Sequence, residues 1–164
     1  MAEDRPLPGV VRLLVGAVTL PHELAHYVVF APWSRSLHLE FGASRQGGVD
    51  LPLARVAGEF SPSIPTAVVR LGAVAPTLLF PLVAVALDLL FGLSGVSAWT
   101  LALVAALAFW AAPSHGDVNV FIRAAAVRDS GSFDSRGRIS GAARPASTLL
   151  TVLVTWLIAG VVLL

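Results

Sequence analysis

The chain contains four apolar segments whose lengths are close to what a membrane span requires. The hydrocarbon core of a bilayer is about 30 Å thick, which takes roughly 20 residues of α-helix at about 1.5 Å per residue. This pattern predicts transmembrane helices over 9–31, 66–93, 96–113 and 147–164. The expected fold class is therefore an all-α integral membrane protein with one small β-hairpin.

The hairpin is expected between the first two apolar segments, where the period of the pattern changes. Apolar residues alternate with polar ones over 37–41 and again over 49–53, and a glycine-containing stretch separates the two runs. A period of two is typical of a strand with one buried face. The pattern predicts a β-hairpin over about 36–54, with its turn at 42–48.

The remaining segments suggest no further folded unit. Residues 128–146 are rich in Gly, Ser, Asp and Arg and show no apolar period, which predicts a flexible surface loop. The first apolar segment is too long for a signal peptide and follows an acidic-leaning start, so it is expected to remain as a membrane helix. Residues 1–164 are predicted to form a single membrane domain.

Composition supports a membrane protein and narrows the available chemistry. Hydrophobic residues make up 56% of the chain and charged residues 13%, against about 45–50% and about 25% in soluble domains. The 11 basic residues, all Arg, nearly cancel the 10 acidic ones, so no strongly basic surface is expected for nucleic acid. Because the chain has no Cys, any reactive centre must use His, Asp, Glu or hydroxyl groups.

The distribution of Arg residues predicts the orientation in the membrane. Two of them, Arg5 and Arg12, precede or begin the first predicted helix. The other nine fall on the side that the chain reaches after that helix: Arg35, Arg45, Arg55, Arg70, Arg123, Arg128, Arg136, Arg138 and Arg144. Since short cytoplasmic loops carry an excess of basic residues, this side is expected to be cytoplasmic and both termini outside.

The first apolar segment contains an H-E-x-x-H motif formed by His22, Glu23 and His26. Positions i and i+4 share one face of a helix, so both imidazoles can bind a single Zn²⁺ while the carboxylate beside them reaches a water on the metal. Ionisable groups at membrane depth are costly and are functional by default. The alternative is a histidine pair that hydrogen-bonds to neighbouring helices without a metal.

A catalytic zinc requires a third protein ligand and an open position. Asp117 is the first choice and His115 the second, because both follow the third apolar segment on the side where His22 and His26 are expected. Asn119 is a further residue that could orient a ligand or hold substrate. The other interpretation is that Ser114 or Asp117 caps an interfacial helix over 118–127.

Other polar residues fit a metal site less well. Glu59 is predicted to lie in a loop, and Glu40 in the hairpin is expected to face water. His38 alternates with apolar neighbours and is also expected to be exposed. Asp88 falls toward the outer end of the second helix, where pairing with Arg12 or extension toward the interface is expected.

The motif and its surroundings resemble the site-2 protease family and related zincin-type integral membrane metallopeptidases. The resemblance rests on the segment His22-Glu23-Leu24-Ala25-His26, a following hairpin, and an Asp at the end of a later helix. It implies peptide hydrolysis in or near the membrane, with His22, His26 and Asp117 as zinc ligands and Glu23 as general base. The segment Ser114-His115-Gly116-Asp117 departs from the family's usual Asn-Pro-Asp-Gly or Leu-Asp-Gly.

The predicted function is that of a zinc-dependent endopeptidase that cleaves membrane-associated proteins or peptides. The strand over 36–41 is expected either to hold an extended substrate by strand addition or to act as a lid or spacer. The alternative is a metal-binding membrane protein without hydrolytic activity, such as a transporter, sensor or scaffold. A transporter is disfavoured because few ionisable groups are distributed through the predicted helices.

Overall fold

A computed structural model of the protein describes residues 9–46, 49–93, 95–133 and 141–164. Within these ranges the chain forms six α-helices: α1 (Gly9–Phe30), α2 (Thr66–Phe91), α3 (Ala98–Ala111), α4 (His115–Ile122), α5 (Ala124–Ser130) and α6 (Ala143–Leu163). It also forms three strands: β1 (Ser34–Gln46), β2 (Val49–Phe60) and β3 (Ser132–Phe133). The strands make one antiparallel sheet in the order β1-β2-β3.

Three helical segments in the described ranges are long and apolar enough to cross a membrane: Leu14–Trp33, Thr66–Phe91 and Ala143–Leu163. The predicted span over 96–113 is not a single helix of sufficient length, because α3 has only 14 residues. It reaches the required length only together with α4, and the two helices are bent by 42°. Pro113 lacks an N–H and Ser114 caps a new helix, so a straight continuation of α3 is not available.

The segment expected to be a flexible loop over 128–146 is partly ordered at both ends. Helix α5 continues to Ser130, β3 follows, and α6 begins at Ala143, four residues before the predicted start at 147. The early start is possible because Pro145 lies in the first turn of α6, where a backbone N–H would have no partner within the helix. Residues 134–140 of the predicted loop lie outside the described residues.

The hairpin is present but longer than predicted. Residues 42–46, expected to form a turn, continue β1 and pair in register with β2, for example Gly42 with Leu53. The ladder extends to Phe60, so Glu59 lies in a strand and not in a loop, opposite Ser36 on β1 and Ser132 on β3. Backbone hydrogen bonding between the strands therefore extends the sheet where side-chain alternation is weak.

An ion pair on the hairpin supports its register. Glu40 and Arg55 stand directly opposite each other on β1 and β2, and the Arg55 Nε donates to Glu40 Oε2 at 2.6 Å. The hydrogen bonds from Arg55, together with one from His38 at 3.1 Å, hold the pKa of the Glu40 carboxyl below its usual value. His38 is exposed, as the sequence predicts. A slip by one residue would separate the opposite charges, so the pair favours the observed register.

The buried residues form two clusters. One lies between α2, α3 and α6, with Leu107, Ala111 and Ile158 among its fully buried members. The other joins the end of α1 to the hairpin, to the first turns of α2 and to α4 and α5, and Phe30 is its largest fully buried side chain. In this second cluster the Phe30 ring lies directly over Gly72 of α2, where a Cβ would overlap the ring. The two helices therefore approach closely at this point.

Replacing Gly72 with Ala should destabilise the protein by about 1–3 kcal/mol, because the added methyl group forces the buried Phe30 ring to move. The matched control is Gly160→Ala in α6, where nothing lies near the added methyl group. That control should be neutral or stabilising by about 0.5–1 kcal/mol. Thermal unfolding of both detergent-solubilised variants measures the difference. Equal stabilities would contradict the close contact between α1 and α2.

Candidate metal centre

His22 and His26 lie one turn apart on α1 and point into the same space. Their Nε2 atoms are 3.2 Å apart, and the rings meet edge to face with centroids 4.8 Å apart. His26 is 1% exposed, and His22 is mostly buried. The i, i+4 spacing on a helix accounts for this arrangement.

Each histidine donates its Nδ1 proton to a backbone carbonyl on another helix. The Nδ1 of His26 lies 2.6 Å from the Gly72 carbonyl of α2, and the Nδ1 of His22 lies 2.7 Å from the Trp110 carbonyl of α3. A carbonyl oxygen can only accept, so the proton of each neutral ring belongs on Nδ1. Each Nε2 therefore carries a lone pair, which is the form that binds metal.

The Trp110 carbonyl is available to His22 because α3 ends there. The N–H of Ser114, four residues further on, would donate to this carbonyl in a continuous helix. It donates instead to Asp117 Oδ2 at 2.7 Å. The Trp110 indole Nε1 also donates to the Val18 carbonyl at 2.8 Å, which fixes the end of α3 against α1.

Asp117 brings a buried carboxylate to both histidines. Its Oδ1 lies 3.2 Å from the Nε2 of His26, and its Oδ2 lies 3.3 Å from the Nε2 of His22. The same side chain forms a capping box with Ser114 at the start of α4. Capping and an approach to the histidines, which the sequence presented as alternatives, are thus both made by one carboxylate.

The three side chains bring together acceptor atoms that favour a positive charge among them. Two ring nitrogens with lone pairs and a carboxylate face one another in an apolar bundle, and lone pairs repel unless a metal ion or an additional proton lies among them. The 3.2–3.3 Å separations from the two Nε2 atoms to Asp117 are to different carboxylate oxygens. With one ligand atom from each residue, the three ligand atoms lie within 4.8 Å of one another. Within the described residues His22, His26 and Asp117 form a group that could hold a metal ion.

Glu23 lies on the face of α1 next to the histidines and contacts the hairpin. Its Oε2 accepts a hydrogen bond from the Val56 N–H of β2 at 2.9 Å. One turn earlier, the Thr19 hydroxyl accepts from the Ala54 N–H at 3.0 Å. Glu23 directly follows His22 in the chain, and its carboxylate interacts electrostatically with His26 and His22. A backbone strand thus holds this carboxylate beside the candidate metal group.

The strand that contacts the site is β2 and not β1. The N–H groups of Ala54 and Val56 point away from β1 and toward α1, and β3 pairs with the same edge of β2 at Gly58 and Glu59. The segment 36–41, expected either to present substrate or to act as a lid or spacer, lies on the opposite side of β2. The direction in which the chain leaves α1 decides which strand borders the site, and the alternation of side chains does not encode that direction.

The other residues singled out in the sequence lie apart from this group. His115 begins α4 and is not part of the metal-binding group, while Asn119 is buried further along the same helix. The Asp88 carboxylate accepts from the Leu93 N–H at 3.2 Å, near the end of α2. The expected pairing of Asp88 with Arg12 falls on a side chain outside the described residues.

Sequence reasoning missed the partners of the histidines and of Glu23. The acceptors at Gly72 and Trp110 and the donor at Val56 are backbone groups, which every residue type possesses. The sequence does contain a signal for the two acceptors: a proline shortly after each of them, which interrupts the hydrogen bonding of the helix. Pro113 lies three residues after Trp110, and Pro76 lies four residues after Gly72.

Replacing Asp117 with Asn should weaken zinc binding by more than about 100-fold. The loss of a residue that only hydrogen-bonds to a metal ligand costs about 10–100-fold, and this substitution removes the charge of a ligand itself. Asn retains an oxygen that can accept from the Ser114 N–H, so α4 should keep its cap and its thermal stability. The control is His115→Ala, which should bind zinc like the wild type. Competition titration of purified protein against a chromophoric chelator measures the affinities. A larger loss in His115→Ala would assign the third ligand to His115.

Comparisons with known proteins leave the chain without an assigned family. A scan against protein-family models found no match, and searches of curated proteins and of solved structures found none either. The resemblance to site-2 proteases stays a prediction from the residues.

Proposed function

We propose that the protein is a zinc-dependent integral membrane endopeptidase that hydrolyses peptide bonds of membrane-associated proteins. The observation that supports this proposal is the buried group of His22, His26 and Asp117, whose three ligand atoms lie within 4.8 Å of one another and could hold a metal ion. A carboxylate that is not part of this group, Glu23, lies next to it. Two histidines, a third ligand and a separate base are the parts that metal-assisted hydrolysis requires.

Each residue has a defined task in this proposal. His22, His26 and Asp117 would hold the ion, which when bound would lower the pKa of a water molecule and polarise a peptide carbonyl. Glu23 would accept the proton of the attacking water at its carboxylate and deliver it to the leaving amine. While no substrate is bound, the hydrogen bond from Val56 restricts the rotation of the Glu23 side chain.

The outer edge of β2 is the surface that best suits an extended substrate. A peptide must leave the helical conformation to expose its scissile carbonyl, and a strand edge can hold it by main-chain hydrogen bonds. The N–H groups of Ala54 and Val56 point from this edge toward α1, where Thr19 and Glu23 now accept them. A substrate strand would take over these donors next to the metal group. The outer edge of β1 is left for a lid or spacer role.

The proposed location is the cytoplasmic side of the cell membrane. The end of α1, the start of α2 and the end of α3 meet at the metal group, and Ser147 at the start of α6 donates to the Pro113 carbonyl at 2.7 Å. The nine Arg residues of the sequence pattern lie between the end of α1 and the second turn of α2, or between the end of α4 and the first turn of α6. An excess of Arg on one side supports a cytoplasmic site with both termini outside.

Replacing Glu23 with Gln should preserve zinc binding and reduce peptide cleavage by about 10²–10⁴-fold, the usual contribution of a general base. Gln retains an oxygen that can accept from the Val56 N–H, so the hairpin should stay in place. N-terminal labelling and mass spectrometry of membranes from cells that express each form would count the new peptide termini. The matched control is Glu59→Gln, an exposed carboxyl on the same strand as Val56.

Termini present with wild type and with Glu59→Gln, but absent with Glu23→Gln, are the expected result. If Glu23→Gln produces the same termini as wild type, the peptidase proposal is wrong. A cellular phenotype that His22→Ala abolishes and Glu23→Gln leaves intact would instead favour a metal-binding membrane protein without hydrolytic activity.

Single cysteines test the proposed orientation, because the natural chain has none. Ser63 is exposed in the segment between β2 and α2, at the end of the bundle that contains the metal group. Val96 is exposed between α2 and α3, at the opposite end. A membrane-impermeant maleimide should label Val96→Cys in intact cells and Ser63→Cys only after lysis. The reverse pattern would place the metal group outside.

A further inference from the structure

Helix α2 contains a proline at a position that bears on the metal group. Pro76 is buried in the interior of α2, four residues after Gly72. In an α-helix the N–H of each residue donates to the carbonyl four residues earlier, and proline has no N–H. The carbonyl of Gly72 therefore lacks its ordinary donor within the helix.

The carbonyl left open by Pro76 is the one that His26 uses. The Nδ1 of His26 lies 2.6 Å from the Gly72 oxygen, in a region where both side chain and backbone are buried. A buried carbonyl without a donor is unfavourable, and the histidine supplies the missing donor. The absence of a Cβ at Gly72 lets the Phe30 ring of α1 lie against α2, so that the histidine comes within hydrogen-bonding distance.

The second proline inside α2 provides an internal comparison. Pro81 is also buried, and it follows Thr77 by four residues. The Thr77 carbonyl is not the acceptor of either histidine's Nδ1 proton, since these protons go to Gly72 and Trp110. Each proline thus leaves one carbonyl of α2 without its donor within the helix. The carbonyl that Pro76 leaves open is the one that the candidate ligand His26 contacts.

We propose that Pro76 is a positioning residue for metal binding: by withholding an N–H from the Gly72 carbonyl, it reserves that oxygen for His26. The bond holds the proton of His26 on Nδ1 and leaves Nε2 directed at the metal group. This inference rests on the metal-binding part of the proposed function and does not depend on peptide hydrolysis.

Replacing Pro76 with Ala supplies the N–H that the helix lacks. The new donor would compete with His26 for the Gly72 carbonyl, and zinc affinity should fall by about 10–100-fold, as for other outer partners of metal-binding histidines. Pro81→Ala makes the same chemical change in the same helix and should stay within about twofold of wild type. Chelator competition on the purified, detergent-solubilised protein measures both. Equal affinities for wild type and Pro76→Ala would overturn the proposal.

A second variant separates the missing N–H from the shape of the proline ring. Lactic acid incorporated in place of Pro76 gives an ester linkage, which lacks both the ring and the N–H. It should bind zinc like wild type, because the Gly72 carbonyl stays open. If this ester variant loses as much affinity as Pro76→Ala, the ring itself is what matters and the proposal is wrong.

The tautomer of His26 provides a readout that needs no metal. At alkaline pH, where the histidine rings are neutral, ¹⁵N spectra of metal-free protein labelled at histidine should show His26 with its proton on Nδ1 in wild type and in the ester variant. In Pro76→Ala the signal should shift toward a mixture of tautomers. An unchanged spectrum in Pro76→Ala would refute the positioning role even if wild type binds no zinc, whereas a wild type without zinc would by itself refute only the proposed function.

Discussion

The hydrogen bonds from the two histidines to backbone carbonyls are the interactions on which the candidate site depends. A carbonyl inside a regular helix is already occupied by the N–H four residues later, so it is a poor acceptor for a side chain. The acceptors for His26 and His22 both lie where this rule is broken, at Gly72 before Pro76 and at Trp110 before the break at Ser114. Interruptions in two helices thus determine which ring nitrogens face the centre.

The rest of the metal group follows from these two bonds. When both Nδ1 atoms donate to backbone carbonyls, the two Nε2 lone pairs face each other. The Asp117 carboxylate adds a third acceptor, and a cation among these groups would relieve their mutual repulsion. Close packing makes this arrangement possible, because the Phe30 ring occupies the space where Gly72 has no side chain. The capping box at Ser114 holds Asp117 at the start of α4 and releases the Trp110 carbonyl at the same time.

The hairpin belongs to the site as much as the helices do. Its strand β2 uses two alternate N–H groups to hold Thr19 and Glu23, which lie one turn apart on α1. Two faces of one helix therefore have separate partners: the histidines contact α2 and α3, and the Glu23 face contacts the sheet. This division keeps a carboxylate near the metal group without adding it to the ligands.

The order of residues determined the features that depend on local spacing. Apolar runs of sufficient length marked the long helices, and the i, i+4 spacing placed His22 and His26 on one face. Tertiary structure decided that Asp117 and not His115 approaches them, that β2 and not β1 borders the site, and that α3 breaks into a bent pair. These features involve backbone groups and contacts between residues far apart in the chain. Every residue has the same backbone groups, so only the folded arrangement shows which of them meet a given side chain.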